Sequence, residues 1–397
     1  MAHLSYVTFT PGNNLTDATT VALGAFPYIF TYTGDFATER TVNQSAYKAT
    51  LTSGSSITGG FFGQGDGDAA FFMETGTAIY GDLDLIGQGE HYLNNLGLVS
   101  GDVTLGNSSD LIDNYGSIGG DVRMGGGDDY FQNFATNTMR GDVAGTLRMG
   151  SGDDRVLNAG TLDRVFLGDG NDFYSAVQDD LNYDNYDNPA VFASEVRGGN
   201  GNDVMYGGAN DDVFMGGQGR DVLNGHGGND TLMGGNNKDV LRGGEGNDVL
   251  YGDGGKDRLY GGNGDDQLFG GTGEDLIDGG RGNDMLSGGS GSDVFVFAGN
   301  SGADIITDFD ATRDMVSLPD ALVGGLPAFS DADVLAHLTY AGGNAVLDLS
   351  GLYQDLGLGG MSGFSNADDI TVTFLDVKPG ELTGDNFMTP GDVFLVA

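Results

Sequence analysis

Cysteine and tryptophan are absent from the 397 residues, proline occurs only 7 times, and Lys and Arg number 16 against 58 Asp and Glu. Without cysteine no disulfide can staple the fold, and no thiolate can serve as nucleophile or metal ligand. The scarcity of proline sets aside collagen and proline-rich linkers, despite 74 glycines. A formal charge of −42 argues against nucleic acid or an anionic membrane as partner. No apolar run reaches the roughly 18 residues of a membrane span. The first residues, MAHLSYVTFTPGNN, lack the basic and apolar regions of a cleaved secretory signal, so export without one is expected.

What is abundant is regular. From Gly198 to Val296 the chain divides into eleven nine-residue units without insertion or deletion. Every unit opens on glycine. Every sixth place is aspartate: Asp203, Asp212, Asp221, Asp230, Asp239, Asp248, Asp257, Asp266, Asp275, Asp284 and Asp293. Every eighth place is large and apolar, from Met205 and Phe214 to Leu286 and Phe295. The fourth place is glycine except at Asn210 and Asn237. Asparagine tolerates the left-handed region best among non-glycine residues, so this place is predicted to have positive φ. The first six places read as a tight turn and the last three as a short strand with its middle side chain inward. Acidic chains are often disordered, but acids at fixed spacing among apolar residues indicate a cation-binding scaffold.

The pattern G-G-x-G-x-D-x-U-x resembles the RTX calcium-binding repeat. That resemblance implies an all-β fold, a right-handed parallel β-roll or β-solenoid with two nines per coil and terminal β caps. It also implies multiple calcium ions held by carboxylates and carbonyls of neighbouring turns. Nines two apart share an edge at roughly the 4.8 Å strand spacing. Two unit charges about 5 Å apart repel by ~3 kcal/mol at an effective dielectric of 20. With six aspartates on one edge and five on the other, the summed repulsion exceeds the ~5–15 kcal/mol net stability of a domain. The roll is therefore not expected to close without cations. A donor set of oxygens alone, in irregular cages, suits calcium better than magnesium.

Upstream the repeat loosens. The stretches GGGDDYF, GSGDDRV and GDGNDFY place Asp129, Asp154 and Asp172 at the sixth-place equivalent, and Asp110 is a fainter match. Four residues beyond these acids stand Asn114, Asn133 and Asn158, with Asn95 one coil earlier. A stacked asparagine ladder satisfying backbone groups is the expected result. Residues 59–197 thus read as degenerate coils with one metal edge, and residues 1–58 as an N-terminal β cap covering the open end. Residues 198–296 form the β-roll and 297–397 a C-terminal cap with a secretion signal. The stretch Ala176–Phe192 breaks the rhythm and reads as a solvated excursion.

After the last nine, the segment with Asp304, Ile306, Asp308, Phe309, Asp314 and Leu318 resembles the one that closes the roll in serralysin proteases. The tail, Asp392 followed by Val393, Phe394, Leu395 and Val396, resembles the uncleaved signal of type I secretion substrates. The resemblance implies the type I secretion apparatus as a partner and an extracellular or cell-surface location.

Catalysis finds little support. His3, His91, His226 and His337 form no H-E-x-x-H, and no G-x-S-x-G is present. An alternative is a calcium-dependent enzyme acting on a polysaccharide, for which Arg123, Arg140, Arg148, Arg155 and Arg164 are the basic cluster to test. The outward places of alternate nines, including Val213, Met215, Met233, Tyr251, Phe269 and Met285, make an apolar stripe. It is either covered by the C-terminal region or open for self-association or attachment to cell-surface polysaccharide. The preferred reading is a calcium-loaded secreted protein with a structural, surface or adhesive role and no enzymatic activity.

Overall fold

The computed structural model describes residues 5–9, 28–32, 35–36, 40–43, 47–65, 67–135, 140–176, 192–297, 301–318, 330–355 and 371–388. Residues 177–191 of the expected excursion Ala176–Phe192, and the tail Asp392–Val396, lie outside the described residues. Two compact units are distinguished, Met1–Ala209 and Asn210–Ala397. Each is a parallel β-solenoid.

In the second unit an 18-residue coil contributes two strands. One stack runs through Val213–Gln218, Thr231–Asn236, Val249–Gly255, Gln267–Gly273 and Met285–Ser290. The other runs through Val222–Gly227, Val240–Glu245, Arg258–Asn263, Leu276–Arg281 and Val294–Val296. Pairing is parallel and in strict register, with Leu250 opposite Leu268 and Leu259 opposite Ile277. Except for Val294–Val296, the strands are longer than the three residues read from sequence. They begin at the seventh place and continue through the third place of the next nine, because the paired glycines extend the ladder instead of breaking it. The eighth-place side chains Phe214, Leu223, Leu232, Leu241, Leu250, Leu259, Leu268, Ile277, Leu286 and Phe295 are fully buried. Two apolar columns fill the interior, each side chain worth about 1.5–3 kcal/mol of burial.

Coils of the first unit are longer and, besides a buried column of Leu85, Met124, Met149 and Leu167, carry three more inward columns. Leu93, Ile112, Phe131 and Val156 form one, Ile57, Ile79, Val99 and Ile118 a second, and Val103, Val122, Leu147 and Val165 a third, all fully buried. The last two columns begin on separate short strands, such as Ser117–Ile118 and Val122–Gly126, which fuse in Asp142–Ser151 through a bulge between Val143 and Thr146. Ser5–Phe9, Tyr28–Tyr32 and Tyr47–Leu51 stack in parallel on each other and on Ala69–Met73, as further rungs of the same ladder.

The C-terminal end changes pairing mode. Ala303–Ile306 adds a parallel rung beside Met285–Ser290, and Thr371–Phe374 pairs with it in turn. An antiparallel meander of Leu338–Ala341, Asn344–Asp348 and Thr371–Phe374 follows, with helices Asp331–Ala336 and Leu349–Asp355. Antiparallel strands and helices offer no repeat for another coil to join, which ends the stack. Among the described residues no helix is long and apolar enough to cross a membrane. Since Leu250 is fully buried at a mid-stack position, Leu250→Ala should lower stability by about 2–5 kcal/mol, read from denaturant midpoints at saturating calcium.

Candidate metal centre

Each nine of the second unit turns its sixth-place carboxylate inward. The backbone N–H of Asp212 donates to Asp230 Oδ1 at 2.8 Å, Asp230 to Asp248 at 2.7 Å, Asp248 to Asp266 at 2.7 Å and Asp266 to Asp284 at 2.9 Å. On the opposite edge Asp221 donates to Asp239, Asp239 to Asp257 and Asp257 to Asp275, each at 2.8 Å, and Asp275 to Asp293 at 3.0 Å. Asp284 and Asp293 donate onward to Asp304 at 2.9 Å and Asp314 at 3.1 Å, so both ladders run one rung past the last nine.

The opening glycine of each nine is explained by its own aspartate. A Cβ on Gly225 would lie 2.0 Å from Asp230 Oδ2, and one on Gly243 2.2 Å from Asp248 Oδ2. Any side chain there would expel the carboxylate. Positive φ at the fourth place holds at Asn237, with φ 78, and at Gly219, with φ 132. Asn210 departs from this expectation and has no positive φ. The second place needs positive φ as well: His226 has φ 72 and Asp253 φ 67 at positions where other nines have glycine. Those two exceptions carried the same signal as Asn237.

In the first unit a single aspartate ladder links Asp110 to Asp129, Asp129 to Asp154 and Asp154 to Asp172 at 2.8 Å each, and Asp172 to Asp203 at 2.9 Å. Asp110 ends it differently. Its Oδ1 accepts the His91 N–H at 2.7 Å and lies 2.9 Å from His91 Nδ1, while Oδ2 accepts the Gly106 N–H at 3.1 Å. Both oxygens are thereby used. Elsewhere in each coil the amide of Asn95 donates to Asn114 at 2.8 Å, Asn114 to Asn133 at 2.9 Å and Asn133 to Asn158 at 3.0 Å. The Gly97 and Gly160 N–H groups bond the carbonyls of Asn95 and Asn158, at 3.0 and 3.1 Å. The asparagine ladder therefore forms as the spacing suggested.

The aspartate ladders leave one oxygen over. Oδ2 of Asp129, Asp154, Asp172, Asp230, Asp239, Asp248, Asp257, Asp266, Asp275, Asp284, Asp293 and Asp304 is buried with no hydrogen-bond partner. A buried unsatisfied polar atom costs about 1–3 kcal/mol, and more when charged. Burial raises these carboxyls, to about 8 at Asp129, Asp230, Asp239, Asp266 and Asp304, and to about 6 at Asp172, Asp275, Asp284 and Asp293. Desolvation is the first cause. Neighbouring carboxylates push in the same direction at sites such as Asp230 and Asp266, but rank behind burial. The mutual repulsion inferred from sequence is thus secondary to the removal of water.

Among the described residues no three Asp, Glu or His side chains converge as a metal-binding group. An ion seated against Oδ2 would need backbone carbonyls to complete its shell, in keeping with a hard, oxygen-only donor set.

Residues 197–295 match, in four overlapping copies, the family model of the RTX calcium-binding nonapeptide repeat. The chain carries RTX repeats. Such repeats bind multiple calcium ions. Among solved structures, a hyperactive, Ca2+-dependent, β-helical antifreeze protein from an Antarctic bacterium is 17% identical over 70% of this chain and 82% of its own, with a TM-score of 0.41. The extracellular lipase LipA from Serratia marcescens is 18% identical over 51% of this chain and 41% of its own, with a TM-score of 0.21. The AlgE6R3 subunit of the Azotobacter vinelandii mannuronan C5-epimerase is 25% identical over 41% of this chain and 88% of its own, with a TM-score of 0.19. No curated protein matches the chain.

Of the arginines considered for catalysis, only Arg123 and Arg148 come together, opposite each other in register. Arg123 bonds Asp102 at 2.8 Å and Asp121 at 2.9 Å, and Arg148 bonds the same Asp121 at 2.9 Å. Arg155 lies in the other sheet, 4.5 Å from the Phe173 ring. Arg140 and Arg164 are exposed.

Carboxyls raised in the folded state favour folding below the unfolded value of about 3.9 and lose that contribution as pH rises through the folded values. In chelator, the melting temperature should fall from pH 4 to pH 8. In calcium the trend should reverse, since protons compete with the ion for the same oxygens. Melting curves by circular dichroism across that range check both signs.

Proposed function

We propose that this is a secreted calcium-binding protein whose repeats fold when they meet extracellular calcium, and that its role is structural, surface-associated or adhesive. The observation carrying this reading is the run of buried Oδ2 atoms without a protein partner. The candidate ligands are the eleven sixth-place aspartates, Asp203 to Asp293, with Asp129, Asp154 and Asp172 in the looser coils. Asp304 joins them, because its Oδ2 is equally orphaned. Asp314 does not, since its Oδ2 accepts the Asp310 N–H at 2.7 Å.

Calcium would supply the positive charge that these oxygens lack, and its binding free energy would be folding free energy. Extracellular modules bind calcium at roughly 10⁻⁴–10⁻³ M, above cytosolic levels. The repeats would then stay open inside the cell and close outside it. Passage through a type I secretion apparatus fits an unfolded chain without cysteine, which no crosslink can obstruct.

Self-association is supported by one sheet of the second unit. Met215, Met233, Tyr251, Phe269 and Met285 face outward and remain half-buried, and the Tyr251 and Phe269 rings stack at 5.1 Å and 10°. The described C-terminal strands extend the ends of the two stacks.

Calorimetric titration into the chelated protein should show binding of several Ca2+ ions with a parallel gain of strand signal in circular dichroism. A chain that keeps its full strand signal in excess chelator at neutral pH would refute the reading. Tyr251→Ser with Phe269→Ser should abolish calcium-dependent assembly; an unchanged particle size by light scattering would exclude this face as the contact.

A further inference from the structure

The bases of the second unit are segregated. Six Lys and Arg residues occur between 210 and 296. Arg242, Arg258 and Arg281 lie in the strands Val240–Glu245, Arg258–Asn263 and Leu276–Arg281 of one sheet. Arg220, Lys238 and Lys256 take the fifth place of the turns that lead into those strands and into Val222–Gly227. On the opposite edge the fifth place holds Asn229, Asn247, Asp265 and Asn283, bonded from coil to coil at 2.8–2.9 Å. The sheet with the apolar stripe has no base between 210 and 296. Between 210 and 296 the six bases are therefore gathered on one sheet and its adjoining edge.

On that face a depression of about 300 Å³ is lined by Asn224, His226, Arg242, Glu245 and Tyr260 over a floor of glycines. Its shape follows from the repeat. Second-place residues have positive φ, and Gly244 (φ 122) and Gly262 (φ 120) leave the sheet bare there. The ninth-place row of Asn224, Arg242 and Tyr260 walls one side, in register across three strands. His226, opposite Gly244, puts an imidazole where the following coils have none, closing one end. The Arg242 guanidinium lies 5.3 Å from the Tyr260 ring centroid. Glu245 accepts the Asn263 amide at 2.6 Å on the far side.

The volume is at the small end of ligand pockets and matches one sugar ring. Its chemistry is mixed. Arg242 offers the planar fork that takes a carboxylate in a bidentate pair, while Asn224, His226, Glu245 and Tyr260 offer donors and acceptors suited to hydroxyls. Arg258 and Lys238 on the same side add positive charge for a longer chain, while Lys256 is already paired with Glu274. We propose that this depression binds a carboxylate-bearing sugar of an acidic polysaccharide, with Arg242 on the carboxylate and Glu245, Asn224 and His226 on the ring hydroxyls. The proposal rests on the surface-associated role above and names its ligand class and site.

The test uses the full calcium-loaded chain, at fixed calcium, titrated calorimetrically with polygalacturonate, dextran sulfate and neutral dextran. Polygalacturonate should bind the wild type most tightly, Arg242→Gln should weaken it at least tenfold, and Gln218→Ala, at an exposed polar position of the other sheet, should leave it unchanged. Arg242→Lys, which keeps charge and length without the fork, should also weaken binding and serves if the glutamine variant does not fold. Equal binding by R242Q would mean that calcium bridging alone holds the glycan, and overturns the site. Equal or tighter binding of dextran sulfate or neutral dextran overturns the ligand class. A failure of the calcium reading registers separately, as an absent dichroism response to calcium in wild type.

Discussion

Everything in the repeats depends on an aspartate folded back into its own turn, one oxygen taken by the amide of the preceding coil and the other enclosed without a partner. The geometry explains the rest of the nine. The first residue must lack a side chain because the carboxylate occupies that space, as the Gly225 and Gly243 contacts show. The second and fourth turn left-handed in most nines, Asn210 excepted, to bring the acid round. The eighth must be large and apolar because only two side chains per coil fill the interior. A pattern this strict reflects one buried charge and the backbone contortion needed to bury it.

Much of this was legible beforehand, and the misses share a cause. Glycine at the first place was seen as a repeat mark but not as a clearance, because the obstructing atom belongs to a residue five positions on. Positive φ, read at the fourth place from Asn210 and Asn237, holds at Asn237 and not at Asn210, and the same substitution logic applies at His226 and Asp253 of the second place. The first unit's third apolar column was invisible to a two-strand template, since Ile118 and Val122 stand on separate short strands with little periodicity of their own. Asp304 and Asp314 continue the ladders although the spacing has stretched to 20 and 21 residues. Spacing in sequence tracks loop length, whereas the ladder tracks the register of the strands.

The physical ranking of effects also shifted. Read from charges alone, the edge is a line of repelling anions. In the folded chain the largest penalty is loss of water around each carboxyl, and repulsion adds to it. Desolvation and repulsion both call for a cation, but only desolvation acts on each site singly. At Asp275 burial is the one cause that raises the carboxyl, so the need for a cation arises even where no neighbouring charge adds to it. The asparagine ladder of Asn95 to Asn158 is the neutral counterpart. It joins coils through amides that serve as donor and acceptor at once, so no charge is enclosed along that line.

The ladders are also polar. Each aspartate accepts from the coil before it and donates to the coil after it, so the two ends of a stack are chemically unlike. At the trailing end the unsatisfied group would be an N–H, which water can solvate readily. At the leading end it would be a buried carboxylate oxygen, for which His91 is the stopper at Asp110. A coil added at the trailing end brings the carboxylate that takes up the waiting N–H, whereas one added at the leading end brings the N–H for a carboxylate already enclosed, so the two ends make unlike demands on an incoming coil.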